Sequence, residues 1–384
     1  MNPLNPSQPR LENPLRQLRG CGQSPWLDYL KRSLVESGDL ARMIAQDGVK
    51  GVTSNPSIFE KAIAGSDEYA GAIRDFLAQG DRDAGQIYEH LAFADIRAAA
   101  DALAPVYQDT GGRDGYVSLE CSPHLANDTE ATVAEAQRLW KAIDRSNLMI
   151  KVPATPAGLP AIRRLIAAGV NVNVTLLFSV EVYDQVAQAY IAGLEDFARN
   201  GGDISHVASV ASFFISRIDT AVDKKLDALP DRRMAEGLRG KAAIVNARVA
   251  YRRFLEVFEG PRWHALAARG AQTQRLLWAS TGVKDPTYKD TLYVEELIGP
   301  DTVNTMPPAT MDAFRDHGEV VCNVIQQELK GVRRERSVLV ELRDQGISLD
   351  DITHDLLDDG VKQFADAFEK LFAALEKQRA AHAG

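Results

Sequence analysis

The sequence predicts an α/β fold, a (β/α)8 TIM barrel with extra helices at the N-terminus, between strands 6 and 7, and at the C-terminus. Eight short apolar segments alternate with helical stretches, which implies a parallel sheet, and eight is the number of strands that closes a barrel. One face of these segments is repeatedly polar, whereas an open sheet covered by helices on both sides should read apolar on both. No G-x-G-x-x-G follows the first strand and no G-x-x-x-x-G-K-[ST] occurs anywhere, so dinucleotide and P-loop readings lack support. In a barrel the polar face is the interior, and near the C-terminal strand ends it forms the floor of a site.

Residues 1 to about 23 are rich in Pro, Asn and Gln and are expected to form an irregular arm with one helical turn; residues 24–384 are expected to form a single barrel domain. The first strand begins at Ser24 and places Trp26 and Asp28 on one face. A helical stretch follows over 39–46, with Leu40, Met43 and Ile44 at helical spacing. The second strand, Lys50 to Asn55, ends at Pro56 and turns Thr53 and Asn55 to the same side. A long helical region from 57 to 103 reads as packing surface.

Strand three, Tyr116 to Cys121, opposes Val117 and Leu119 to Ser118 and Glu120, and Asn127 and Asp128 are plausible caps for the helix after it. Strand four, in the stretch Leu148 to Thr155, carries Lys151 on the face of Met149. Strand five alternates Asn171, Asn173 and Thr175 with valines. Helix 180–199 leads to strand six, 206–214, which ends in Ser212, Phe213 and Phe214. A charged helical insertion spans about 218–272. Strands seven (275–280) and eight (301–306) precede C-terminal helices over about 310–380. The last of these, 356–378, has Val361, Phe364, Phe368, Leu371, Phe372 and Leu375 on one side, which reads as core cover.

A net charge of −9 and the lack of any uninterrupted basic stripe argue against a nucleic-acid partner. No run reaches the length of a membrane span and no apolar signal segment opens the chain, so no membrane partner is expected. Cys21, Cys121 and Cys322 lie far apart without a C-x-x-C pair, the usage of reduced thiols in a cytoplasmic protein. The seven histidines show no metal-ligand spacing, so no metal is expected.

Lys151 is a charge inside a core strand. Burying an ammonium is costly, so the amine must be paired or go neutral, and a neutral amine is a nucleophile toward carbonyls. The alternative is a strand-end lysine snorkelling to solvent. Around one barrel mouth the strand ends would gather Asp28, Thr53, Asn55, Ser118, Glu120, Lys151, Asn171, Asn173, Thr175, Ser212 and Ser280. One lysine among amides, hydroxyls and two carboxylates suits imine formation on a ketone followed by C–C cleavage. Glu120 would move protons through a water held by Thr175, and Asp28 would take the proton of the hydroxyl whose carbon departs. The alternative for either acid is an ion pair that keeps Lys151 charged and inert. Arg217 and Lys284 sit where barrels commonly hold phosphate; the alternative is two surface cations.

Four segments, Gly51–Ser57, Ile150–Thr155, Asn171–Ser179 and Trp278–Lys284, appear in the order and with the residues of one family, and the chain resembles transaldolase from about residue 24 to about 370. The resemblance implies a cofactor-free barrel enzyme, a transferase of the non-oxidative pentose phosphate pathway. It would pass a dihydroxyacetone unit from fructose 6-phosphate or sedoheptulose 7-phosphate to erythrose 4-phosphate or glyceraldehyde 3-phosphate through a lysine Schiff base. It also implies catalytic roles for Lys151, Glu120, Asp28 and Thr175, and substrate contacts by Asn55, Asn173, Ser212, Arg217 and Ser280; Thr53, Phe214 and Lys284 are further candidate substrate contacts. Shorter members carry arginine where Gly282 stands, which leaves the second phosphate cation open. The long insertion, arm and C-terminus resemble the longer bacterial branch, and a homodimer is a family-level expectation. Two competitors are a fructose-6-phosphate aldolase-like lyase, whose members carry Gln and Tyr at the Glu120 and Phe214 positions, and a non-enzymatic sugar-phosphate-binding barrel, which would be expected to lose the lysine or its acids.

Overall fold

Parallel pairing runs unbroken from β1 (Gln23–Asp28) through β2 (Gly51–Thr53), β3 (Tyr116–Glu120), β4 (Leu148–Pro153), β5 (Val172–Leu177), β6 (Ser209–Phe214) and β7 (Arg275–Ala279) to β8 (Thr302–Met306). β8 then pairs with β1, so the sheet closes. The computed structural model describes residues 13–64, 66–324 and 338–382. The alternation seen in sequence explains the closure: Val117, Leu119, Ile150, Val152, Val172 and Val174 turn outward to the helices, while the polar residues of the same strands face the axis.

β2 has only three residues because the chain there is squeezed and then stopped. A Cβ on Gly51 would lie 2.4 Å from the ring of the fully buried Trp26, so only glycine lets the strand pass it. Asn55 then accepts from the Ile58 amide at 3.0 Å and starts a helix at Pro56. The expected single helical region over 57–103 is in fact broken. A short helix, Pro56–Phe59, a π turn, Glu60–Ala64, a 3-10 turn, Asp67–Tyr69, and a helix, Ala70–Leu77, precede the long helix Ala84–Asp109. Asp83 and Gln86 form a reciprocal capping box that restarts the chain there.

Two further expectations are corrected. The arm is ordered from residue 13: Pro14–Gln17 and Leu18–Cys21 are helical turns, with Leu15 and Leu18 fully buried, and β1 begins one residue early at Gln23. Residues 1–12 lie outside the described residues. The cysteines are not all reduced, since Cys21 and Cys322 form a disulfide that ties the arm to a segment 301 residues away. A pairing across that separation leaves no local spacing motif. Cys121 is free and buried, as a strand filler should be.

The segment between β6 and β7 folds into four helices, Ser216–Leu226, Arg232–Leu238, Ala242–Phe258 and Pro261–Ala267. The C-terminal helix, Leu349–His382, begins earlier than its apolar stripe suggests. Leu371 and Leu375 are fully buried, and Phe368 and Phe372 pack on Tyr88 of the long helix at 5.5 and 5.7 Å.

The N-terminal end of the barrel is closed by a buried ion cluster. Arg275 donates to Asp114 at 2.8 Å, to the Arg113 carbonyl at 2.6 Å and to the Ser24 hydroxyl at 3.0 Å. Asp114 also accepts from Ser24 at 2.8 Å and Trp26 Nε1 at 3.3 Å, and Lys50 lies 3.6 Å away. Asn171, expected at the mouth, belongs to this end as well. Its amide donates to the Ser146 and Leu148 carbonyls and its oxygen accepts from the Ala208 amide. A strand crosses the full depth of the barrel, so Asn171 shares a face with Thr175 yet lies four residues, over 10 Å of strand rise by the usual ~3.3 Å per residue, below it.

Candidate active site

Parallel register decides which charges meet. Glu120 is the direct neighbour of Lys151 across β3 and β4, and Lys151 that of Asn173 across β4 and β5. The Lys151 ammonium therefore donates to Glu120 Oε2 at 3.1 Å and to the Ser54 carbonyl at 3.0 Å, with both residues less than a tenth exposed. Lys151 is not snorkelling. The other Glu120 oxygen, Oε1, is buried and has no hydrogen-bond partner, and the same holds for Thr175 Oγ1. Burial pushes the Glu120 carboxyl above its ordinary range despite the opposing pull of Lys151.

Thr175 owes its placement to an irregularity. The β5–β6 register shifts between Val174 and Leu177, and Leu176 takes a left-handed φ of 57°. Ser280, immediately after β7, does the same at 55°. Left-handed backbone in non-glycine residues costs about 1–3 kcal/mol and persists where surrounding structure holds it; Ser280 lines a cavity, and Leu176 directly follows Thr175, which lines the same one.

That cavity, about 290 Å³, opens at the C-terminal strand ends and is lined by Asp28, Thr53, Asn55, Lys151, Thr175, Ser212, Phe214, Arg217, Ser280 and Lys284, all singled out in the sequence. Glu120 and Asn173 stand outside the lining. Glu120 lies behind Lys151, while Asn173 sits beneath the floor, donating to Ser118 Oγ at 2.9 Å and accepting from Ser212 Oγ at 2.6 Å. Asp28 accepts from Thr53 at 2.7 Å. Burial lifts its carboxyl above the usual range, opposed by that hydrogen bond and by Lys151, Lys284 and Arg217. Of the two acids, Glu120 is the one in contact with Lys151.

At the rim, burial draws the Arg217 guanidinium below the usual arginine range. It packs 5.4 Å from the Phe214 ring centroid and has no ion-pair partner among the described residues. Sequence reasoning missed Ser57, Lys61, Thr305 and Pro307, and above all Phe364. Phe364 reaches the cavity from the C-terminal helix, its ring centroid 5.8 Å from Lys151 Nζ. Lys61 follows Asn55 by six residues in a region read as packing surface, and nothing in the helix stripe separates Phe364 from its core neighbours. Among the described residues no group of three or more His, Cys, Asp or Glu is placed to hold a metal, and no helix is long and apolar enough to cross a membrane.

Fold and site together define a (β/α)8-barrel enzyme built around one buried lysine. A family model described as transaldolase/fructose-6-phosphate aldolase matches residues 25–375, and the chain belongs to that family. A transaldolase of Thermobifida fusca is 50% identical over 370 residues, covering 96% of this chain and 99% of that protein. A transaldolase of Trichodesmium erythraeum is 47% identical over 375 residues, covering 95% and 97%, and transaldolase 1 of Streptomyces coelicolor is 49% identical over 363 residues, covering 94% of each.

Proposed function

We propose that the chain is a transaldolase that carries a dihydroxyacetone unit on Lys151, from fructose 6-phosphate or sedoheptulose 7-phosphate to erythrose 4-phosphate or glyceraldehyde 3-phosphate. The observation that carries this reading is the Lys151 ammonium at 3.1 Å from a carboxylate whose other oxygen has no partner, at the wall of a polar cavity. Glu120 accepts the lysine proton, freeing the amine, which attacks the ketone carbon. The carbinolamine loses its oxygen as water, with a proton returned from Glu120, and an iminium forms. The unpartnered Glu120 and Thr175 oxygens face the need for a held water, which relays those protons.

Asp28 then removes the proton of the hydroxyl next to the scissile bond. That C–C bond breaks, the aldehyde leaves, and the bonding electrons pass into the iminium to give an enamine. The acceptor aldehyde takes the three-carbon unit by the reverse sequence, and water hydrolyses the product imine. Thr53 holds Asp28; Asn55, Ser212 and Phe214 line the path of the sugar; Asn173 fixes Ser212; Ser280, Arg217 and Lys284 meet the phosphate. Glu120 and Phe214, the pair read as that of the transferases, favour transfer over the lyase reaction that the family also includes. A homodimer in the cytoplasm is part of the same reading, tested by sedimentation and cell fractionation.

Borohydride with fructose 6-phosphate should leave a covalent adduct on Lys151, absent in Lys151→Met. An adduct elsewhere, or none, overturns the mechanism. Formation of sedoheptulose 7-phosphate on adding erythrose 4-phosphate distinguishes transfer from cleavage.

A further inference from the structure

Gly282 and Lys284 are two residues apart and line the same cavity. A Cβ built on Gly282 would lie 4.0 Å from Lys284 Nζ, an ordinary van der Waals contact, and 3.2 Å from Thr310 Oγ1, so the ammonium lies against the glycine, beside the space a longer side chain at 282 would enter. The segment bearing Lys284 lacks regular structure from Ser280 to the short helix Leu292–Glu296, and the lysine itself is exposed. Its place depends on what grips that segment.

The grip comes from the β6–β7 insertion. Tyr288 donates to Asp223 at 2.7 Å, Arg239 donates to Asp285 at 2.6 Å, and Tyr293 donates to Asp219 at 2.9 Å. Asp219 and Asp223 are buried and held in turn by the amides of Ala243 and Gly240, and Gly240 has a left-handed φ of 66° with the Tyr288 ring 2.9 Å from where its Cβ would be. Burial pushes the Asp219 carboxyl up to about 7. The helix that supplies both carboxylates, Ser216–Leu226, carries Arg217 in its first turn, and its Ser216 hydroxyl meets that of Ser280 at 2.9 Å. One helix thus bears one rim cation and fastens the segment that bears the other.

We propose that Tyr288 with Asp223, and Arg239 with Asp285, are positioning residues that hold the Lys284 ammonium over Gly282, so that it and Arg217 close on one phosphate from two sides. This rests on the reading of Arg217 and Lys284 as phosphate ligands. The insertion then supplies, from outside the barrel, the registration that a longer side chain at position 282 would supply by itself.

The test is a double-mutant cycle with fructose 6-phosphate and unphosphorylated fructose as donors. Tyr288→Phe should raise KM for fructose 6-phosphate by about 3- to 10-fold with kcat within about two-fold, and leave kcat/KM for fructose unchanged. Arg239→Gln, near the surface, should act in the same direction if the phenylalanine variant folds poorly. In a Lys284→Met background, neither change should add to the KM defect. If Lys284→Met leaves KM for fructose 6-phosphate unchanged, the phosphate reading fails. If Lys284→Met raises KM but the Tyr288 and Arg239 variants do not, or add their effects independently, the positioning role is overturned and the phosphate reading stands.

Discussion

The barrel buries a cation against a carboxylate at each end, and the two pairs differ in what they leave unfinished. At the N-terminal end both oxygens of Asp114 are engaged by Arg275, Ser24 and Trp26, with Lys50 close by. Burial pulls the Asp114 carboxyl upward, but these partners outweigh it and hold it below its ordinary value. At the C-terminal end Lys151 and Glu120 are buried as deeply, yet one Glu120 oxygen is orphaned and burial wins, holding that carboxyl above its ordinary value. A saturated pair resists proton movement and works as a fastener. An unsaturated one beside a cavity is ready to exchange its proton with whatever enters.

The contrast is broken most directly by removing each cation. Lys151→Met should lower turnover by about 10⁴-fold or more with the thermal midpoint nearly unchanged. Arg275→Met should do the opposite, costing about 3–5 kcal/mol in denaturant unfolding because it leaves Asp114 buried with Lys50, a partly exposed cation at 3.6 Å, as its one remaining ion-pair partner among the described residues, while the folded fraction keeps its turnover per borohydride-titratable site. A stable Arg275→Met, or an unfolded Lys151→Met, would show that the two pairs do not differ as described.

Glu120→Gln sharpens the comparison. It should reduce kcat by about 10²–10⁴-fold. It should also change the pH dependence of stability. Glu120 binds its proton more tightly folded than unfolded, so its ionisation works against the fold as pH rises from its ordinary 4.5 through the raised folded value. Asp114 has the reverse sign: its contribution is complete above 3.8 and is lost as pH falls through its depressed folded value. Denaturant midpoints between pH 3 and 7 should lose the first dependence in Glu120→Gln and keep the second. The smallest effect is expected at the periphery. Cys21→Ser should lower stability by about 2 kcal/mol, leave turnover unchanged, and expose Cys322 as a second thiol to titration beside Cys121.

The C-terminal end was far more legible in sequence than the N-terminal end. Lys151, Glu120, Asp28 and Thr175 put polar groups, three of them charged, on the inward face of strands whose other face is apolar, and a charge in such a place needs a reason. Asp114 and Arg275 stand at strand margins, where charges are ordinary, and their meeting depends on closing β1 to β8, which no local pattern encodes. Asn171 was misplaced because alternation tells which face a residue occupies and says nothing of depth. The Cys21–Cys322 bridge and the Phe364 contact were invisible for a related reason: each joins parts of the chain hundreds of residues apart, where each partner taken alone resembles any buried cysteine or core phenylalanine.

Phe364 arrives on the last helix of the chain, long after the strand with Lys151 has left the ribosome. At ~5–20 residues per second the delay is on the order of ten seconds or more, during which the barrel strands are present and the mouth has no roof. The order of synthesis therefore separates making the nucleophile from enclosing it. Until that helix docks, Lys151 stands in a mouth that lacks the Phe364 ring, whose centroid ends 5.8 Å from its Nζ.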